Sequence, residues 1–180
     1  MRLFLAVNIN QHSKNLIKKK VEILKKEYNN EIKWVREENW HLTLKFIGEA
    51  SAAEKASLVR ALKKIDFTEQ NKYIQFAELA AFPDLKSAKV IYLALKQGKN
   101  LLEGLHDKLE TELLKYGFNR DQRAYIPHLT LGRCNSPVKM QKIFQGQYFV
   151  NIYARIESIS LYQSRLKAAG PEYIELFSIK

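Results

Sequence analysis

Two stretches decide the fold: Asn39-Trp40-His41-Leu42-Thr43-Leu44-Lys45-Phe46-Ile47-Gly48-Glu49 and Tyr125-Ile126-Pro127-His128-Leu129-Thr130-Leu131-Gly132-Arg133. The tetrad His-Leu-Thr-Leu is identical in both, and the two copies lie 128 − 41 = 87 positions apart. Four His and four Thr scattered over 180 residues would give about 0.09 His-x-Thr matches by chance, so a pair of them is a signal. In a strand, residues two apart share a face. His41, Thr43 and Lys45 are therefore expected on one side, with Trp40, Leu42, Leu44 and Phe46 on the other. His128 and Thr130 likewise oppose Leu129 and Leu131. Strict alternation turns Arg133 away from His128 unless Gly132 makes a bulge or the strand has ended.

Outward from the tetrads, the order of elements repeats. Leu3-Phe4-Leu5-Ala6 resembles Ile91-Tyr92-Leu93-Ala94 at an offset of 91 − 3 = 88. In the first half, a strand over Leu3 to Ile9 precedes a helix from Ser13 to about Tyr28, whose Ile17, Val21, Leu24 and Tyr28 form one apolar stripe. A short strand near Ile32 to Val35 and the first tetrad strand follow. Ser51 and Glu54 make a capping box that opens a helix to about Ile65, and Tyr73 to Phe82 reads as a strand. In the second half, a strand over Lys89 to Leu95 leads to a helix marked by Leu101, Leu105, Leu109 and Leu113, which stops at Gly117. The second tetrad strand runs from Tyr125 to Gly132. Ser136-Pro137 reads as the start of a short helix ending at Gly146, and strands follow over Tyr148 to Tyr162 and Tyr173 to Ile179. The expected fold is α+β: residues 1–180 form one domain of two duplicated lobes, each a mainly antiparallel sheet with helices outside, around a cleft between the sheets.

Composition bounds the function. Lys and Arg number 30 against 19 Asp and Glu, a net charge of +11, which favours anionic partners, nucleic acid foremost. Hydrophobic residues at 46% exclude disorder. No apolar run approaches the roughly 18 residues of a membrane span, and no leader pattern is present, so a cytoplasmic, monomeric protein without membrane contact is expected. Cys134 is the only cysteine, which excludes an intramolecular disulfide and a multi-cysteine zinc site.

If the tetrad strands face each other, two imidazoles and two hydroxyls converge on one cleft. Imidazole titrates near neutrality, so one neutral and one protonated ring facing a phosphate can serve as base and acid. Thr43 and Thr130 would donate to nonbridging phosphate oxygens, and Lys45 and Arg133 would offset the charge developing there. Neither a His-x-x-x-His spacing nor a carboxylate cluster accompanies the tetrads, so no metal and no cofactor is expected. His12 and His106 lack a partner pattern and read as structural or solvated, and Cys134 as incidental. Tyr125 or Trp40 could stack on a base, although Trp40 falls on the Leu42 face and so suits the core.

These tetrads, the leading Arg2–Ile9 strand and the late Ser164–Tyr173 segment together resemble the 2H phosphoesterase superfamily over essentially the whole chain. The similarity is greatest to its RNA 2',3'-cyclic phosphodiesterase branch, also called 2'-5' RNA ligase. The resemblance implies that RNA ends or cyclic-phosphate nucleotides are the partners. It implies that His41 gives a proton to the leaving 3' oxygen and His128 activates water, leaving a 2'-phosphomonoester. It also implies that Arg133 is the basic residue after the second motif and Tyr173 the aromatic near the end. Action on a 2'-5' linkage, ligation, and phosphate recognition without turnover stay open on sequence grounds.

Overall fold

The computed structural model describes residues 1–28, 30–68, 72–140, 151–167 and 170–180. Eight strands, β1 (Arg2–Ile9), β2 (Ile32–Trp34), β3 (Leu42–Glu49), β4 (Tyr73–Phe82), β5 (Ala88–Gln97), β6 (His128–Val138), β7 (Ile152–Lys167) and β8 (Gly170–Ile179), pair antiparallel throughout. Among the described residues three α-helices, α1 (Gln11–Tyr28), α2 (Ala52–Leu62) and α3 (Lys99–Leu114), lie outside them. The sheets of the two lobes join into one sheet ordered β1-β3-β6-β5-β4-β7-β8, and a further β1–β7 pairing closes it into a barrel-like ring.

The helices form where their stripes predict. Ile17, Val21, Leu24 and Tyr28 of α1 are buried, and α1 packs against β7. The Ser51–Glu54 capping box is present in both directions at the start of α2, which ends three residues before the expected Ile65. Leu105, Leu109 and Leu113 of α3 are buried, together with Leu102 rather than Leu101, and α3 faces β3 and β5. Gly117 follows with φ +85, the left-handed conformation that lets a chain leave a helix.

The two tetrad strands meet at a single registered pair, Leu42 opposite Leu129, which forms the seam between them. These two residues are themselves 87 apart, so the contact puts equivalent positions of the two tetrads face to face and acts as a local twofold. The sequence match of the leading strands is two residues out of step with this symmetry. Thr43 pairs with Ala6 and Thr130 with Tyr92, which makes the structural offset 92 − 6 = 86 rather than 88. A two-residue slip preserves which face each side chain occupies, so apolar alternation alone satisfies either register.

Both tetrad strands carry a bulge at the same place. Between the Ala6–Thr43 and Leu5–Lys45 pairs, Leu44 has no opposite number; between Tyr92–Thr130 and Ile91–Gly132, Leu131 has none. Each bulge reverses the face of the residues just beyond it. The equivalent residues after it are Lys45 and Gly132, then Phe46 and Arg133.

Expectations around the second tetrad strand change. Ser136-Pro137 opens no helix but lies within β6, where β5 pairs with Arg133 and next with Val138, so the intervening prolyl residue has no ladder partner on that side. The remainder of that expected helix, to Gly146, and the start of the expected Tyr148 strand fall outside the described residues. β6 also begins at His128 rather than Tyr125.

Gly132 is sterically required. A Cβ there would sit 2.4 Å from Ile32 Cγ2 and 3.4 Å from the Trp34 ring, where β2 crosses β6. Gly132→Ala is expected to cost about 1–3 kcal/mol of stability, the usual penalty for overpacking, read as a lowered urea midpoint. An unchanged midpoint would mean that β2 is not seated as described.

Candidate active site

The strand pairing brings both tetrads to one cleft. His41, Thr43, His128, Thr130, Arg133 and Tyr173 line it together, around a volume of about 170 Å³. With Leu42 opposite Leu129, the antiparallel register sets His41 towards Thr130 and Thr43 towards His128. The two imidazoles thus stand diagonally across the seam.

Each ring is held alike. His41 Nδ1 lies 2.7 Å from the Asn39 carbonyl, and His128 Nδ1 lies 2.7 Å from the Ile126 carbonyl, in both cases two residues upstream. A carbonyl can only accept, so Nδ1 carries the hydrogen in both rings and Nε2 is the free basic nitrogen. At His41 that nitrogen lies 3.0 Å from Thr43 Oγ1, whose hydroxyl donates to it.

Aromatic rings enclose the pair. Phe4 and Tyr173 lie 4.9 and 5.3 Å from the His41 ring, and Tyr92 and Phe82 lie 5.1 and 5.3 Å from that of His128. Burial among them pushes the His41 pKa down to about 4, with the cations Lys14 and Arg133 and the ring of His128 adding to the depression against the opposing pull of the Asn39 carbonyl. Burial lowers His128 as well, and Arg133 acts in the same direction. Both rings are therefore neutral at pH 7 in the unliganded protein.

The bulges explain which predicted residues reach the cleft. Arg133 is exposed on the cleft face because the Leu131 bulge supplies the reversal that strict alternation lacks. The equivalent bulge at Leu44 turns Lys45 the other way. Lys45 is 4% exposed, pairs with Glu110 of α3, and lies 3.1 Å from Asp121; it is not among the residues lining this cleft but borders an adjoining pocket with Thr43 and His128. Phe46, expected in the core, is instead 66% exposed at the cleft. Trp40 is buried, as its place on the Leu42 face predicts. Tyr125 is not among the residues lining this cleft; its ring lies flat on His106, 4.4 Å away, and borders the adjoining pocket with Thr43 and His128. Lys33 and Arg36 line the cleft unannounced by any motif, since β2 and the turn after it are placed only by pairing with β6.

Among the described residues, one group of metal-ligating types comes together: His106, Glu110 and Asp121. Lys45 Nζ bonds both carboxylates, so a fixed ammonium already supplies the positive charge there.

Similarity to known proteins gives this closed antiparallel barrel and its paired tetrads a family. The family model described as LigT like Phosphoesterase matches residues 8–92. A protein of Methanocaldococcus jannaschii named RNA 2',3'-cyclic phosphodiesterase is 31% identical over 177 residues, 96% of each chain. One of the same name from Archaeoglobus fulgidus is 31% identical over 180 residues, 98% of each chain. The crystal structure of E. coli LigT complexed with 3'-AMP superposes with a TM-score of 0.77 at 21% identity, covering 99% of this chain and 96% of that one. The chain belongs to the LigT-like phosphoesterases of the 2H superfamily. Among the described residues, no helix is long and apolar enough to cross a membrane.

The depressed His41 pKa has a signed consequence for stability. A ring that titrates near 6.5 when unfolded and near 4 when folded leaves the unfolded state binding more protons between those values. Stability contributed by the neutral ring is full above pH 6.5 and is lost as pH falls towards 4. Thermal unfolding at pH 7 and pH 5 should show the wild type losing up to about 2 kcal/mol more than His41→Asn over that interval. Equal losses in the two proteins would show that His41 is not depressed by its surroundings.

Proposed function

We propose that this protein hydrolyses the 2',3'-cyclic phosphate end of RNA to a 2'-phosphomonoester, using its two histidines as acid and base and no metal. One observation supports this above the others: two Nε2 atoms face a common cleft, each fixed as the free nitrogen by a backbone carbonyl on Nδ1. The names of the relatives favour the same substrate.

In this reading, His128 Nε2 takes a proton from water as its oxygen attacks phosphorus. His41 Nε2–H gives a proton to the 3' oxygen as the bond from phosphorus to that oxygen breaks. Thr43 and Thr130 donate to the nonbridging oxygens, and Arg133 offsets the charge that grows on them. Tyr173 packs edge-on against His41 and holds its ring in place. Because both rings are neutral in the free protein, the acid must gain its proton together with the substrate. The phosphodiester anion supplies the missing counter-charge and raises both pKa values.

RNA ending in a 2',3'-cyclic phosphate, incubated in EDTA, should yield the 2'-phosphate. His41→Ala and His128→Ala should each lower kcat by about 10²–10⁴-fold, the usual worth of general acid–base catalysis. Either variant retaining wild-type kcat would sink the two-histidine mechanism.

A second measurement reads the titration. The singly protonated pair becomes scarcer above the depressed pKa values, so kcat/KM should form a bell centred below pH 6.5. The kcat bell, which reports the anion-bound protein, should lie at higher pH. A flat kcat/KM between about pH 5 and 9 would count decisively against the mechanism.

A further inference from the structure

We infer that Lys45 is a positioning residue for His128, acting through the segment that carries the Ile126 carbonyl; the inference rests on His128 being a working member of the pair. Residues 119–127 link α3 to β6 without helix or strand, and among the described residues their backbone has no backbone hydrogen-bond partner. Side chains hold them instead. The Asp121 carboxylate lies 3.1 Å from Lys45 Nζ, and the Asp121 N–H donates to Glu110 Oε2 at 3.3 Å. Lys45 Nζ also bonds Glu110 Oε1, with both side chains at most 4% exposed. Further along, the Tyr125 ring stacks flat on His106, whose Nε2 is 3.8 Å from the same Glu110 oxygen. Arg120 adds an exposed bond to Thr111 at 3.1 Å.

The next residue after Tyr125 presents the carbonyl that fixes the His128 tautomer. The ammonium on β3 therefore sits at the base of a short chain of contacts that ends on the opposite histidine. The first tetrad needs no such device. Asn39 belongs to a hydrogen-bonded turn, with its N–H donating to the Arg36 carbonyl at 3.0 Å and the Trp40 N–H donating to the Glu37 carbonyl at 3.1 Å. Its side-chain amide also donates to the Pro171 carbonyl at 2.9 Å. One orienting carbonyl is built into local backbone, and the other depends on a buried ion cluster.

Replacing Lys45 alone would strand the Glu110 charge and risk unfolding, so the test uses Lys45→Met/Glu110→Met, which removes both partners, alongside the milder Asp121→Asn. Nitrogen-15 shifts of the imidazoles, recorded on the unliganded proteins, report the tautomer without any need for turnover. In the double variant the His128 signals should move from the Nδ1–H form towards a tautomer mixture while those of His41 stay in place, with Asp121→Asn moving His128 in the same sense but less. On the cyclic-phosphate RNA, kcat should fall about 10-fold, the lower end of what loss of an orienting partner costs, with KM within twofold. Folded variants whose His128 tautomer is unchanged, or whose two histidines shift equally, would overturn the inference. A parent protein without turnover would instead overturn the proposed function and leave the tautomer result to be judged separately.

Discussion

The structure depends on one cross-strand contact, Leu42 against Leu129. Both side chains are fully buried, and together they are the only registered pair between the tetrad strands. Because side chains alternate faces every residue, placing two leucines inward there forces the flanking His and Thr of both strands outward into the same space. A slip of one residue would bury the four polar groups and expose the leucines. The apolar positions of the tetrads are thus what assembles the polar ones.

The ring closure serves the same end. β7 runs on from β4 to β1 and then β8, so the sheet has few free edges and the two lobes are fastened at the side remote from the seam. The β7–β8 hairpin carries Tyr173 to the His41 ring, and the bond from Asn39 to the Pro171 carbonyl ties that hairpin to the turn beside the first tetrad. Helices on the outer surface cover the apolar face and leave the cleft open.

Much of this was legible before any coordinates. The repeated tetrad, the amphipathic stripes and the Ser51 capping box are local patterns with fixed periods, and the elements they mark form where expected. What could not be read depends on pairing between distant segments. Apolar alternation is blind to a two-residue slip, so the leading strands could be aligned at the wrong offset. Bulges leave no reliable mark in a single sequence, and they decide that Arg133 joins the cleft, that Lys45 leaves it, and that Phe46 takes the position equivalent to Arg133. The role of Lys45 was hidden for a second reason: its partners lie 65 and 76 positions away, on a helix and an irregular segment.

The groups that orient the two imidazoles belong to the main chain. Both are carbonyl oxygens, placed by the path of the backbone at residues 39 and 126 rather than presented by a side chain. Ring orientation therefore follows the shape of the chain rather than the identity of a neighbouring side chain, and at Asn39 the side-chain amide has a separate task, fastening the turn to Pro171 of the closing hairpin.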